Sequence, residues 1–249
     1  MPGAKPDQPD FFFEKDPALR ERYERASYCV SVLGGDSAAK DADTIGYDLV
    51  SNGFSVATGG HDKGAMKGAL EGGSRALQDL RKDNKDIDSV RPRVRGISWD
   101  FLEAPPVSGE FISREPTGDL YERLGKLLEE SRAVVVLSGG LGTAVELLVE
   151  THFGQNISQK MKVEPRPFII VGQSHQELLY VLGKQYSLSE LSGNSGSIYM
   201  VDDAEAVAPL VETLFQKASL SEQDHTEKEL KALDDKLEPN RLRSKREPE

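Results

Sequence analysis

The chain has one cysteine, Cys29, in 249 residues. A lone thiol inside an apolar run excludes a disulfide framework and any cysteine-built zinc site, and it predicts a buried residue in a reducing compartment. Basic excess is lacking as well: 31 Lys and Arg stand against 42 Asp and Glu, giving a net charge of −11 and a pI near 5.0. That balance argues against a protein that coats DNA or an acidic membrane, since gripping backbone phosphates takes a basic face. No apolar run approaches the roughly 18 to 20 residues of a membrane span, and the opening Met-Pro-Gly-Ala-Lys-Pro-Asp-Gln has no signal-peptide core. A soluble, cytoplasmic protein without membrane contact is expected. His61, His152, His175 and His225 show no ligand spacing, so no metal site is expected.

What is present is a repeated grammar of apolar strand, glycine turn and helix, which means parallel strands. Asp16-Pro17 reads as the cap and first residue of a short helix to about Ala26, after an aromatic Phe11-Phe12-Phe13 that needs cover. Strands are expected at 28–33, 54–57, 94–98, 110–113, 134–137, 168–171 and 198–201. Helices are expected from about Asp41 to Asn52, from Lys63, from Asp119 to Glu130, near 176–186 and over 204–216. The stretch 81–93 reads as a charged loop. The domain plan is a segment over 1–26, one nucleotide-binding core over 27–217 and a charged tail over 218–249, helical or disordered.

Three glycine turns close strands: Gly34-Gly35, followed by Asp36 and Ser37; Gly59-Gly60, with Gly64 and Met66 beyond; and Gly139-Gly140-Leu-Gly142-Thr143. In a doubly wound sheet all three emerge at the carboxyl edge, where ligands bind. The dinucleotide fingerprint fails at the third turn, where Val145 replaces its last glycine, and no Gly-Lys-Ser/Thr exists to make a P-loop. The third turn instead reads as a phosphate cradle at a helix N-terminus. Glu146 lies one turn further on the same helical face. A carboxylate would repel a phosphate, so it is assigned to the sugar or reacting carbon. Read singly, Glu146 could merely favour its helix N-terminus, Arg123 could be a solvated helix residue, and Asp36 and Ser37 could be caps.

The segment Gly139 to Glu146 resembles the P-G-G-x-G-T-x-x-E motif of the Lonely Guy (LOG) family, once labelled lysine decarboxylases. Thr58-Gly-Gly-His-Asp-Lys-Gly-Ala-Met66 is similar to that family's G-G-x-x-x-G-L-M segment, and Asp119-Leu-Tyr-Glu-Arg123 to its D-M-x-x-R stretch. Arg123 stands at the family's spacing before Glu146. The resemblance covers about residues 28 to 185, and Ser138, Leu124 and Val145 depart from it. It implies a Rossmann-like, doubly wound α/β fold, mostly parallel, with helices on both faces of the sheet. It also implies a homodimer that hydrolyses nucleoside 5′-monophosphates, AMP or a cytokinin riboside monophosphate, to free base and ribose 5-phosphate. Arg123 and Glu146 would then be catalytic, in a reaction that needs no metal or organic cofactor. Gly34, Gly35, Ser37, Gly59, Gly60, Gly64, Met66, Gly139, Gly140, Gly142 and Thr143 would hold the nucleotide.

Two other readings remain open. One is a nucleotide or molybdenum-cofactor carrier of the same fold without turnover. The other is a DNA-handling relative, which the acidic charge opposes although Arg241 to Arg246 form a local basic cluster.

Overall fold

The computed structural model describes residues 17–83, 92–99, 105–129, 131–149, 166–173, 175, 198–221 and 227–241. Along the chain run α1 (Pro17–Ser27), β1 (Cys29–Leu33), a 3-10 turn (Asp36–Ala38), α2 (Ala39–Ser51), β2 (Ser55–Thr58), α3 (Gly64–Asp83) and β3 (Val94–Trp99). Then come β4 (Ile112–Thr117), α4 (Leu120–Glu129), β5 (Ser131–Val136), α5 (141–149), β6 (Phe168–Val171), β7 (Ile198–Val201), α6 (Val207–Ser221) and α7 (Glu227–Leu237). The seven strands form one sheet in the order β4-β3-β2-β1-β5-β6-β7, and every pair is parallel. The order reverses between β1 and β5, so the loops after these strands part and leave a crevice at the carboxyl edge.

The period-two alternation of buried strands decides which helices cover which face. Val30 and Val32 of β1 and Ala133 and Val135 of β5 point into one core with Ile45 of α2, Leu70 of α3, Val211 of α6 and Leu237 of α7. The intervening residues point the other way, Cys29 with Leu127 of α4, and Leu33, Val134 and Val136 with Leu147 of α5. The fold is therefore a Rossmann-like, doubly wound sheet covered on both faces. Helices α2 and α3 touch backbone to backbone, because Gly46, Gly68 and Gly72 carry no side chain at the crossing: a β-carbon on Gly46 would lie 2.2 Å from the Ala69 carbonyl oxygen.

Two expectations need correcting. The fourth strand runs from Ile112 to Thr117 and not over 110–113, pairing from Val94↔Ile112 to Trp99↔Thr117. Its polar Arg114-Glu115-Pro116 reads as loop in sequence, yet at the outermost position of the sheet a strand tolerates both solvent-facing charge and a proline. The core also continues past residue 217. Helix α7 lays Leu233 and Leu237 against it, and Asp234 of α7 pairs with Lys217 at 2.8 Å and Arg241 at 2.6 Å. Isolated leucines among charges looked too sparse to bury; spaced four apart on a helix they make one apolar stripe. Arg241, bound in these pairs, is not presented as a phosphate contact. Phe11 to Phe13, the helix expected near 176–186 and residues 242–249 lie outside the described residues.

Candidate functional site

The crevice at the β1/β5 switch is a cavity of about 340 Å³. Its floor is the end of β1, Val32 and Leu33, followed by Gly34 and Gly35; Gly59 and Met66 close one side, and Gly140, Gly142 and Thr143 the other. Arg123 and Glu146 also line it.

Arg123 is placed by the way α4 begins and ends. Asp119 accepts the Glu122 backbone N–H at 2.8 Å, and Glu122 accepts the Gly118 N–H at 2.8 Å, so the first turn is capped. At the other end, the Leu127 carbonyl accepts hydroxyl hydrogen bonds from Ser31, at 2.7 Å, and from Ser131. Arg123 and Leu127, four residues apart, share the inward face. The Arg123 Nε–H donates to the Ile97 carbonyl at 3.1 Å, and Nη2 sits 3.7 Å from the Met66 sulfur. A β-carbon on Gly59 would fall 1.9 Å from that same nitrogen, so a side-chain-free residue at the end of β2 is what admits the guanidinium.

Glu146 comes from α5. The residue 23 positions after Arg123 brings its Oε1 to 3.5 Å from Arg123 Nη1. Both groups are largely shielded, with side-chain exposures of 8% for Arg123 and 16% for Glu146. Burial pushes the Glu146 carboxyl above the usual carboxylate range, and Arg123 only partly pulls it back. Burial likewise lowers the guanidinium, against the opposing pull of Glu146. Desolvation thus outweighs the mutual attraction at both groups.

The third glycine turn divides into two roles. Gly139 is a packing position: its β-carbon would lie 2.2 Å from Thr143 Oγ1 and 2.8 Å from the Gly35 nitrogen. Gly140 and Gly142 face open space, with nothing within 4 Å of a β-carbon at either. The loop is locked to β1 by the Gly35 N–H donating to the Ser138 carbonyl at 2.9 Å.

Among the other residues singled out in sequence, Gly60, Gly64 and Ser37 do not line the cavity. Gly60 packs on Gly96 of β3, Gly64 (φ +51°) packs on Gly35 and Asp36, and Ser37 lies 3.4 Å from Ser138 Oγ. Val145 is outside it too, exposed on α5. His61 is buried beside Pro106, and His175 is buried with its Nε2 3.0 Å from the Leu137 carbonyl. Lys63 lines the cavity and was not singled out in sequence; Asp36, which read singly could be a cap, lines it as well. The signal for Lys63 was available, since it sits inside the loop between Gly60 and Gly64.

No protein-family model matches the chain. It is 28% identical over 130 residues to the probable cytokinin riboside 5′-monophosphate phosphoribohydrolase LOGL3 of Oryza sativa subsp. japonica, a match covering 51% of this chain and 55% of that protein. The chain thus spans about half the length of the curated relative it matches. Among solved structures it is similar to the molybdenum cofactor carrier protein of Chlamydomonas reinhardtii, with 17% identity, 76% and 98% of the two chains covered, and a TM-score of 0.51. The molybdenum cofactor binding protein of Rippkaea orientalis is similar at 18% identity, with 75% and 96% covered and a TM-score of 0.52. These two likenesses establish the fold. The curated relative bears the LOG name, and the LOG resemblance carried by the motifs of this chain fits it.

Proposed function

We propose that the cavity hydrolyses the N-glycosidic bond of a purine-type nucleoside 5′-monophosphate, releasing free base and ribose 5-phosphate. The carrying observation is the convergence of Arg123 and Glu146 at 3.5 Å inside a cavity rimmed by a glycine turn and a helix N-terminus. Cleavage of that bond builds positive charge on the ribose ring. A desolvated carboxylate stabilises it and orients the attacking water more strongly than it would in bulk solvent. Arg123 holds Glu146 and offers a donor to the departing base. The exposed backbone at Gly140 and Gly142 receives the phosphate without a β-carbon in the way. The activity in the rice relative's name is of this class.

The test is chromatographic detection of free base from a panel of 5′-monophosphates, beside Glu146→Gln. Release that falls by about 10² to 10⁴ in the variant supports the reading. Intact nucleotides from concentrated wild-type protein would sink it. A carrier without turnover, of nucleotide or molybdenum cofactor, is the second reading; the structural neighbours named for that role favour it. The departures at Leu124 and Val145 do not by themselves remove the chemistry, because neither lines the cavity.

The same reading includes a homodimer. Leu120 and Tyr121 of α4 and Leu141, Val145 and Leu148 of α5 are exposed apolar side chains on the two helices that supply Arg123 and Glu146. Sedimentation of wild-type protein and of a Tyr121→Asp, Leu141→Asp variant tests it: a dimer that becomes a monomer is expected, and a monomer in both cases refutes it.

A further inference from the structure

The cavity mouth carries a second ion pair. Lys63 Nζ lies 3.0 Å from Asp36 Oδ2, with side-chain exposures of 60% and 65%. Both residues line the cavity, from different loops. Their backbones are locked together: a β-carbon on Gly64 would lie 2.6 Å from the Asp36 Cα, and the Ala65 N–H donates to the Gly35 carbonyl at 3.0 Å. Only the side chains are therefore free to rearrange.

We propose that Lys63 is the side chain by which the cavity selects a phosphorylated ligand, and that Asp36 is its internal competitor. Ligand entry exchanges the Lys63–Asp36 pair for a Lys63–phosphate contact. The proposal deepens the nucleotide reading of the cavity and rests on it. Arg123 cannot take this part, since its head group is buried against Ile97, Met66 and Glu146. Lys63 can: its ammonium is a point charge on a flexible stem, and an exposed pair with a carboxylate costs little to open. The two ion pairs leave the cavity near neutrality, so an entering phosphate gains from Lys63 only when Asp36 releases it. Asp36 thereby suppresses weak anions, and a dianion at the helix N-terminus wins the lysine.

The experiment is calorimetric binding of AMP and ribose 5-phosphate against adenosine and ribose. The proteins are wild type, Lys63→Met, Asp36→Asn and the double variant. Wild type is expected to prefer each phosphorylated ligand. Lys63→Met should shrink that preference about tenfold without altering adenosine binding. Asp36→Asn should raise AMP affinity, and the gain should vanish in the double variant. No preference in wild type, an unchanged ratio in Lys63→Met, or an equal gain from Asp36→Asn in both backgrounds would each overturn the proposal. A base-release assay on the same proteins separates the two ideas. Discrimination without turnover sinks the hydrolase reading alone, and turnover with an indifferent Lys63→Met sinks the lysine's role alone.

Discussion

Gly59 and Arg123 are fitted to each other: the guanidinium occupies the volume a β-carbon on Gly59 would need, with Nη2 only 1.9 Å from that position. The backbone of β2 thereby decides where a side chain from α4 points. Gly59→Ala should displace Arg123 and reduce base release by at least about a hundredfold, as small misplacements of catalytic groups do. Circular dichroism should show the fold kept. Retained activity in a folded Gly59→Ala protein would mean that Arg123 need not stand where it does.

The open glycines predict the opposite balance. Gly142 lies in the first turn of α5 with nothing near its missing side chain, so Gly142→Ala gains helix propensity and loses unfolded-state freedom. Stability should rise by about 0.5 to 1 kcal/mol while phosphate-ligand binding falls. A melting curve beside a binding isotherm checks both, and a variant that binds as well as wild type removes this turn from the ligand site.

Acid dependence follows from Glu146. Its carboxyl is raised by burial, with Arg123 opposing. The native protein therefore holds an extra proton between the ordinary glutamate value, about 4.3, and the raised one. Glu146 contributes stability on the acid side of that window, and the contribution is lost as pH rises through the folded value. Under the proposed hydrolysis activity runs the other way, because that mechanism needs the carboxylate, so kcat/KM should fall on acidification with a midpoint above the ordinary range. A midpoint at the ordinary value would show that Glu146 is not the group being titrated.

The α2–α3 contact has no slack. Gly46→Ala would drive a methyl into the Ala69 carbonyl, 2.2 Å away, and should cost about 1 to 3 kcal/mol as overpacking. Urea denaturation would register a lower midpoint with an unchanged slope. An unchanged midpoint would mean that the helices can separate freely.

The docking of α7 is tested at Leu237, which is fully buried in the core. Leu237→Ala should lose about 2 to 5 kcal/mol, as buried leucines do. A solvated tail would instead tolerate the change with no measurable shift in denaturation midpoint.

By itself the sequence determined the alternating plan and the presence of all seven strands. Buried parallel strands such as Val134 to Val136 are continuous apolar runs, and glycine turns mark where each one stops. The link between Arg123 and Glu146 came from the LOG resemblance, in whose motifs the two stand at this spacing; local pattern alone left Arg123 as an ordinary helix residue.

Tertiary structure alone decided what those residues meet. The extent of β4 depended on its place at the sheet edge, and the fate of Leu237 depended on a surface built from distant strands. The cavity's cation at Lys63 and its pairing with Asp36 arise because β1 and β2 are neighbours in the sheet, which stacks the loops that follow them. Local pattern carries the periodicity of one element; which loops face one another is fixed by strand order and by the burial of faces that no single segment contains.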